Sequence, residues 1–98
     1  MIERQQILQI IRNHLKDLRN KYGVVRIGIF GSVSRNEATS HSDIDIAVEL
    51  ESNFKTLHNY LELERYLSQL LGAPVDLGIE GTLKPEVRER VHADMIYA

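Results

Sequence analysis

The sequence predicts an α/β domain in which helices cover a small β-sheet. Three observations carry this prediction. Leucine and isoleucine recur at three- and four-residue spacing in 8–18 and 57–71, β-branched runs fill 24–30 and 44–50, and a glycine follows each helical stretch. The 98 residues leave no room for a second core. We therefore expect one domain over residues 1–98.

The first predicted helix spans residues 2–21 and is ended by Gly23, which is suited to the left-handed turn after a helix. Its apolar stripe comprises Leu8, Ile11, Leu15 and Leu18. A strand is predicted at 24–30. A short helix at 33–38 follows, and its first amide groups are expected to face Ser32, an arrangement that favours an anion.

The second strand is predicted from Asp43 to Leu50. Strand side chains alternate, so Asp43 and Asp45 share one face while the apolar residues occupy the other. Two like charges so close on one face repel each other, and a cation between them would relieve this cost. The pattern therefore favours a cation at this end of the strand.

The second half of the chain predicts a helix at 54–71, capped by residues in 51–53 and stopped by Gly72. A third strand at 73–79 follows, with Asp76 on the face opposite Val75 and Leu77.

The last predicted helix begins near Pro85, because proline is tolerated in the first turn. Val87, Val91 and Met95 are expected to form its buried stripe. Residues 95–98 form either a short strand or a packed tail. These patterns do not fix the direction of the strands.

Composition restricts the classes of partner. The net charge is −2 and there are only two Phe and four Tyr, so direct nucleic-acid binding is not expected. The chain has no Cys, so a metal would be held by oxygen or imidazole ligands. No signal-like or membrane-spanning run is found, which predicts a cytoplasmic protein without membrane attachment.

The predicted site lies where the Gly31-Ser32 corner faces the carboxylates. Asp43, Asp45 and Asp76 would form a cluster suited to one or two Mg²⁺ ions, with nucleotide phosphates completing the coordination. The Ser32 hydroxyl and nearby amide groups would bind phosphates, and Arg35 would add a cation. Each feature alone has a plainer reading, since aspartate also serves turns and caps. Their combination favours a metal–phosphate site.

The histidines give a weaker signal. His41 lies in the polar loop beside the aspartates, where a solvated side chain is the simpler interpretation and contact with substrate the alternative. His14, His58 and His92 are scattered over predicted helices without the spacing of metal ligands.

The segment from Gly31 to Asp45 resembles a known motif. Gly31-Ser32, ten intervening residues and Asp43-Ile44-Asp45 resemble the Gly-Ser-x10-Asp-x-Asp motif of the minimal nucleotidyltransferases, in the DNA polymerase beta-like superfamily. Residues 42–46 and 75–77 are similar to the metal segments of that family. One departure is Asn36, where family members often have Gly; asparagine tolerates the left-handed conformation, so we expect the turn to persist.

The resemblance implies a small mixed β-sheet flanked by helices, a nucleoside triphosphate substrate, usually ATP, and Mg²⁺. It implies that Asp43, Asp45 and Asp76 are the catalytic and metal-binding carboxylates. The nucleotide-binding residues expected from the motif are Gly31, Ser32, Arg35 and Ser42.

Residues 84–97 resemble the usual ending of the antitoxin members of that family, which implies a partner protein. Such antitoxins transfer AMP from ATP to tyrosine hydroxyls of a HEPN-domain RNase toxin and so neutralise it. The short chain favours the same reading, because little remains after the catalytic core to hold an acceptor. Two alternatives stay open: an antitoxin that only occludes its toxin, and a sugar-nucleotide transferase that uses the Asp-x-Asp pair.

Overall fold

The structure is a computed structural model that describes residues 3–39 and 42–98. Its elements are α1 (Arg4–Asn13), α2 (Leu15–Tyr22), β1 (Val24–Phe30), α3 (Gly31–Ser34), β2 (Ile44–Leu50), a 3-10 turn (Ser52–Phe54), α4 (Leu57–Leu71), β3 (Val75–Ile79), a second 3-10 turn (Glu80–Thr82), α5 (Pro85–Asp94) and β4 (Ile96–Tyr97). The question of a role for His41 lies outside the described residues. None of the helices in the described ranges is long and apolar enough to cross a membrane.

The four strands form one mixed sheet in the order β3-β2-β1-β4. β1 pairs antiparallel with β2 and with β4, whereas β2 and β3 are parallel and are connected through α4. The predicted α/β architecture with a small mixed sheet is therefore confirmed. The chain end forms a strand rather than a packed tail, because Ile96 and Tyr97 pair with the middle of β1.

The prediction of one helix over residues 2–21 is wrong, because the chain breaks at His14 into α1 and α2. His14 has φ −118° and ψ 12°, outside the helical region. Its ring Nδ1 lies 2.8 Å from the carbonyl oxygen of Ile10, which competes with the backbone bonds of a continuous helix. Both helices still bury the predicted stripe through Leu8, Ile11 and Leu18. Gly23 adopts φ 69° after α2, as predicted.

Helix α4 begins later than predicted. The expected cap in residues 51–53 is wrong: these residues enter a 3-10 turn, and Thr56 caps the helix by accepting a hydrogen bond from the Asn59 amide at 3.1 Å. The Asn59 side chain also donates to the carbonyl oxygens of Tyr22 at 3.0 Å and Phe54 at 2.9 Å. A tertiary contact thus fixes where the helix starts. Gly72 ends it with φ 66°, as predicted.

The core lies between one face of the sheet and helices α1, α2 and α4. Its fully buried side chains include Ile7, Ile11, Leu18, Ile27, Ile29, Ile46, Val48, Leu63, Leu67 and Leu71. The other face carries the residues that alternate with these along the strands, Asp45 on β2 and Asp76 on β3 among them. The predicted segregation of carboxylates from the apolar face is therefore observed.

Helix α5 packs against β1 on the polar face of the sheet. A side-chain carbon built at Gly28 would lie 2.7 Å from the Met95 sulfur, so glycine lets the end of α5 lie close to the strand. Val91 is buried, but Val87 is 40% exposed, which corrects the predicted buried stripe. The carboxyl-terminal half of α5 contacts the rest of the described fold through the buried Val91 and through the side-chain contacts of His92 with Glu80 and of Asp94 with Arg35. One turn earlier the helix lies in solvent.

Candidate active site

The corner after β1 turns at once into α3. Gly31 adopts φ 71°, a conformation that side chains rarely take, and the one-turn helix runs from Gly31 to Ser34. The predicted helix at 33–38 is therefore misplaced, because the left-handed glycine lets the chain turn two residues sooner. Ser34 Oγ donates to the Gly31 carbonyl at 2.9 Å and secures the turn. Asn36 has φ 62°, so the left-handed turn expected there is observed.

Gly31 lies directly against the carboxylate of Asp45. A side-chain carbon built on Gly31 would collide with Asp45 Oδ2. Phe30, the preceding residue, is the register partner of Asp45 across β1 and β2, which explains the close approach. Position 31 thus requires glycine for two reasons, its backbone conformation and its neighbour.

Three carboxylates gather beside this corner. Asp45 on β2 and Asp76 on β3 are direct register partners, and Asp43 lies just before β2 rather than within it. Asp45 is partly buried, whereas Asp43 and Asp76 are exposed. The pKa of Asp45 is raised, first by burial and then by the charges of Asp76 and Asp43, while Arg35 acts in the opposite direction. The structure therefore brings Asp43 and Asp76 within electrostatic reach of Asp45.

The donor chemistry of this cluster fits a hard divalent cation. All three side chains offer carboxylate oxygens, which Mg²⁺ prefers, and their mutual repulsion is what a cation would relieve. Within residues 3–39 and 42–98, no three Asp, Glu, His or Cys side chains are already arranged as a metal site. Asp43, Asp45 and Asp76 would supply only part of the coordination of Mg²⁺, which usually completes it with water and substrate phosphates.

The predicted phosphate-binding residues have different surroundings. Ser32 is partly buried in α3, and its carbonyl accepts a hydrogen bond from the Glu37 amide at 2.8 Å. Ser42 is hydrogen-bonded to Thr39: its hydroxyl accepts from the Thr39 amide at 3.0 Å, and its own amide donates to the Thr39 carbonyl at 3.1 Å. These bonds hold the residue directly before Asp43.

Arg35 is held by two carboxylates that the sequence did not indicate. Its Nη1 lies 2.6 Å from Asp94 Oδ2, and its Nε lies 3.2 Å from Glu37 Oε2. Asp94 is 59 residues away in sequence, at the end of α5. No local pattern relates the two positions, so only the fold reveals the pair.

Glu80 is a further acidic residue whose surroundings the sequence did not indicate. Glu80 is only 3% exposed, and it receives contacts from Arg26 at 2.6 Å, Tyr97 at 3.3 Å and His92 at 3.4 Å. These partners come from β1, β4 and α5, so the carboxylate joins three elements on the polar side of the sheet. A glutamate at the end of a strand gives no sequence signal for such burial.

Comparison with known proteins identifies the family. The profile described as "Nucleotidyltransferase domain" matches residues 11–98. The chain belongs to this family. The nucleotidyltransferases similar to it include "Protein adenylyltransferase MntA" of Thermococcus cleftensis, 40% identical over 97 residues that cover 99% of this chain and 97% of that protein. "Putative protein adenylyltransferase MJ0128" of Methanocaldococcus jannaschii is 48% identical over 93 residues, 94% of each chain.

Solved nucleotidyltransferase structures share the fold. A structure described as "putative minimal nucleotidyltransferase" is 36% identical, with a TM-score of 0.80 over 97% of this chain and 95% of that one. A toxin–antitoxin complex with AMP-PNP superposes with a TM-score of 0.71 at 24% identity, over 98% of this chain and 72% of that one. A complex of a tri-AMPylated Shewanella oneidensis HEPN toxin with its MNT antitoxin superposes with a TM-score of 0.68 at 24% identity, over 96% of this chain and 70% of that one. At that identity the likeness shows the fold.

Proposed function

We propose that this nucleotidyltransferase is an antitoxin that transfers AMP from ATP to tyrosine hydroxyls of a partner HEPN-domain toxin and thereby neutralises it. The observation that carries the proposal is the Gly31 corner pressed against Asp45, with Asp76 as its register partner. In this arrangement, phosphates would approach the backbone of Gly31 closely, beside the carboxylates of Asp45 and Asp76. The names of the relatives support protein as the acceptor class.

The residues of the corner would hold the triphosphate. Gly31 has no side chain, so the phosphates would approach its backbone beside Asp45, and Ser32 offers its hydroxyl and amide. Arg35 supplies positive charge close enough to oppose the charge of Asp45. Ser42 would act through its hydrogen bond with Thr39, directly before Asp43.

Asp43, Asp45 and Asp76 would hold Mg²⁺, which would neutralise the phosphate charge and stabilise the leaving pyrophosphate. Asp45 is the most buried of the three and would form the fixed side of the site. Asp43 and Asp76 are exposed, so they remain open to nucleotide and acceptor from solvent.

The reaction joins the acceptor tyrosine oxygen to the α-phosphorus of ATP. The bond between the α-phosphorus and the oxygen bridging to the β-phosphorus breaks, and pyrophosphate leaves. Asp76 lies on the exposed side of the site and would accept the proton of the tyrosine hydroxyl. This exposure supports an acceptor that a partner protein presents.

The test is transfer of label to the partner HEPN-domain toxin, in the presence of Mg²⁺. ATP labelled at the α-phosphate is expected to label the partner, whereas ATP labelled at the γ-phosphate is not. The variant with both Asp43→Asn and Asp45→Asn should transfer no label. An unlabelled partner with the wild type, or equal labelling by the double variant, would contradict the proposal.

A further inference from the structure

We propose that Asp94 is a positioning residue for the nucleotide: it holds Arg35 so that the free donors of the guanidinium face the triphosphate. The inference rests on the proposed function and extends the site to the end of α5. The observation that carries it is the ion pair of 2.6 Å between Arg35 Nη1 and Asp94 Oδ2. Asp94 lies outside the motif at residues 31–45, so the motif assigns it no role.

The two partners of Arg35 are not equivalent. The contact with Asp94 is shorter than the contact of 3.2 Å with Glu37, and the Asp94 side chain is 27% exposed against 64% for Glu37. Glu37 is two residues from Arg35 on the same exposed turn, so its contact does not join Arg35 to another element. Asp94 therefore supplies the one attachment that joins Arg35 to a distant element of the described fold.

The position of Asp94 is fixed by its neighbours in the chain. Val91 is buried one turn before it, and His92 lies 3.4 Å from the buried Glu80. Two residues after it, Ile96 pairs with Ile29 on β1. The end of α5 is thus held on both sides, so an arginine bound to Asp94 is held relative to the sheet.

The geometry leaves donors for a ligand. A guanidinium carries five N–H donors in a fixed plane. Nε contacts Glu37 and Nη1 contacts Asp94, while Nη2 of Arg35 has no partner among the contacts of the described ranges. Arg35 already weakens the repulsion at Asp45, so its charge reaches the acidic site. Planar donors fixed in this way suit bidentate contact with phosphate.

The experiment measures the dissociation constant of AMP-PNP with Mg²⁺ by calorimetry for the wild type, Asp94→Asn, Arg35→Ala and the double variant. Asp94→Asn is expected to weaken binding about fivefold and Arg35→Ala about tenfold or more, in keeping with the loss of a charge-assisted contact. In the double variant the loss should equal that of Arg35→Ala alone, because Asp94 acts through Arg35.

Two further variants separate positioning from support of the fold. Asp94→Glu keeps the carboxylate and should recover most of the affinity. Glu37→Gln removes the other partner of Arg35 and should change affinity by less than about twofold. Additive losses in the double variant, an unchanged affinity in Asp94→Asn, or an equal loss in Glu37→Gln would overturn the inference. A wild type that does not bind AMP-PNP would overturn the proposed function itself, and the inference with it.

Discussion

Asp45 and Asp76 are register partners on two parallel strands, β2 and β3, so their backbones lie about 4.8 Å apart. Neighbouring strands rarely gain from like charges placed side by side, and here burial and the charge of Asp76 both raise the pKa of Asp45. The sheet therefore tolerates a local repulsion at the position where the corner at Gly31 approaches most closely. A cost of this kind is typical of a functional site.

Removing one of these charges should stabilise the protein. We expect Asp76→Asn to raise the free energy of unfolding in metal-free buffer by about 1 kcal/mol, or the melting temperature by about 4 °C. Asp17→Asn, at an exposed aspartate on α2, is the control and should give no gain. Thermal unfolding by circular dichroism measures both.

Thermal unfolding in the presence of Mg²⁺ tests whether the aspartate cluster binds the ion. Mg²⁺ should raise the melting temperature of the wild type, because the ion binds only the folded state, and EDTA should reverse the effect. Asp45→Asn should lose most of the response. An equal response in Asp45→Asn, or a loss of stability in Asp76→Asn, would contradict the account of this cluster.

Gly31 and Gly72 form a matched pair for testing the corner. Both have positive φ, at 71° and 66°, so alanine strains the backbone at either position by about 1 kcal/mol. Nothing lies within 4 Å of a side-chain carbon built at Gly72, whereas the one at Gly31 collides with Asp45. Gly72→Ala should therefore keep nucleotide binding at a cost of about 1 kcal/mol.

Gly31→Ala should cost about 2–4 kcal/mol in urea unfolding and should abolish binding of AMP-PNP, because Asp45 must move. If the two alanine variants lose equal stability and keep equal affinity, the contact between the corner and Asp45 has no functional role.

Glu80 should make stability depend on pH. Burial alone raises the pKa of this carboxyl, but the hydrogen bond and charge of Arg26, followed by the hydrogen bonds of His92 and Tyr97, outweigh burial and lower it. A lowered pKa stabilises the fold above the unfolded value, near 4.5, and the gain disappears as pH falls through the folded value.

Glu80→Gln is therefore expected to cost about 1–3 kcal/mol at pH 7, less than for a fully buried pair because Arg26 is half exposed. The difference from the wild type should shrink in urea unfolding at an acidic pH well below 4.5, because the carboxyl takes up a proton as the pH falls. Glu62→Gln, which removes an exposed pair with Arg65, should change stability by less than about 0.5 kcal/mol at both values. A pH-independent effect of Glu80→Gln would contradict the assigned charge.

Local patterns predicted the parts of the fold that depend on neighbouring residues. Alternation along β2 and β3 placed Asp45 and Asp76 on the polar face. The left-handed turn at Gly23 and the helix end at Gly72 followed from residue type, and the turn at Asn36 followed from the family resemblance. The Gly31-Ser32 corner was also predicted from residue type, because glycine and serine there follow directly after a strand. These features need no knowledge of distant contacts.

Features that depend on tertiary contacts, or on a local choice that periodicity leaves open, were not predicted. The break at His14 rests on a side chain that bonds back to Ile10, and periodicity alone favours a continuous helix there. Asp94 meets Arg35 only because β4 returns the chain end to β1. Val87 has the spacing of a buried residue but lies on the turn of α5 that projects into solvent. Local spacing therefore cannot reveal the distant pair of Arg35 and Asp94, and it allows more than one outcome at His14 and Val87.

The proposed transfer of AMP is tested most directly by the intact mass of the proposed partner, a HEPN-domain toxin, after co-expression with this protein. With the wild type, the toxin should gain one or more increments of one AMP unit, and peptide mapping should place them on tyrosine. With the Asp43→Asn, Asp45→Asn double variant, the toxin should keep its unmodified mass and its toxicity. If the double variant neutralises the toxin as well as the wild type does, without any increment, the protein acts by occlusion and catalysis is not its mechanism.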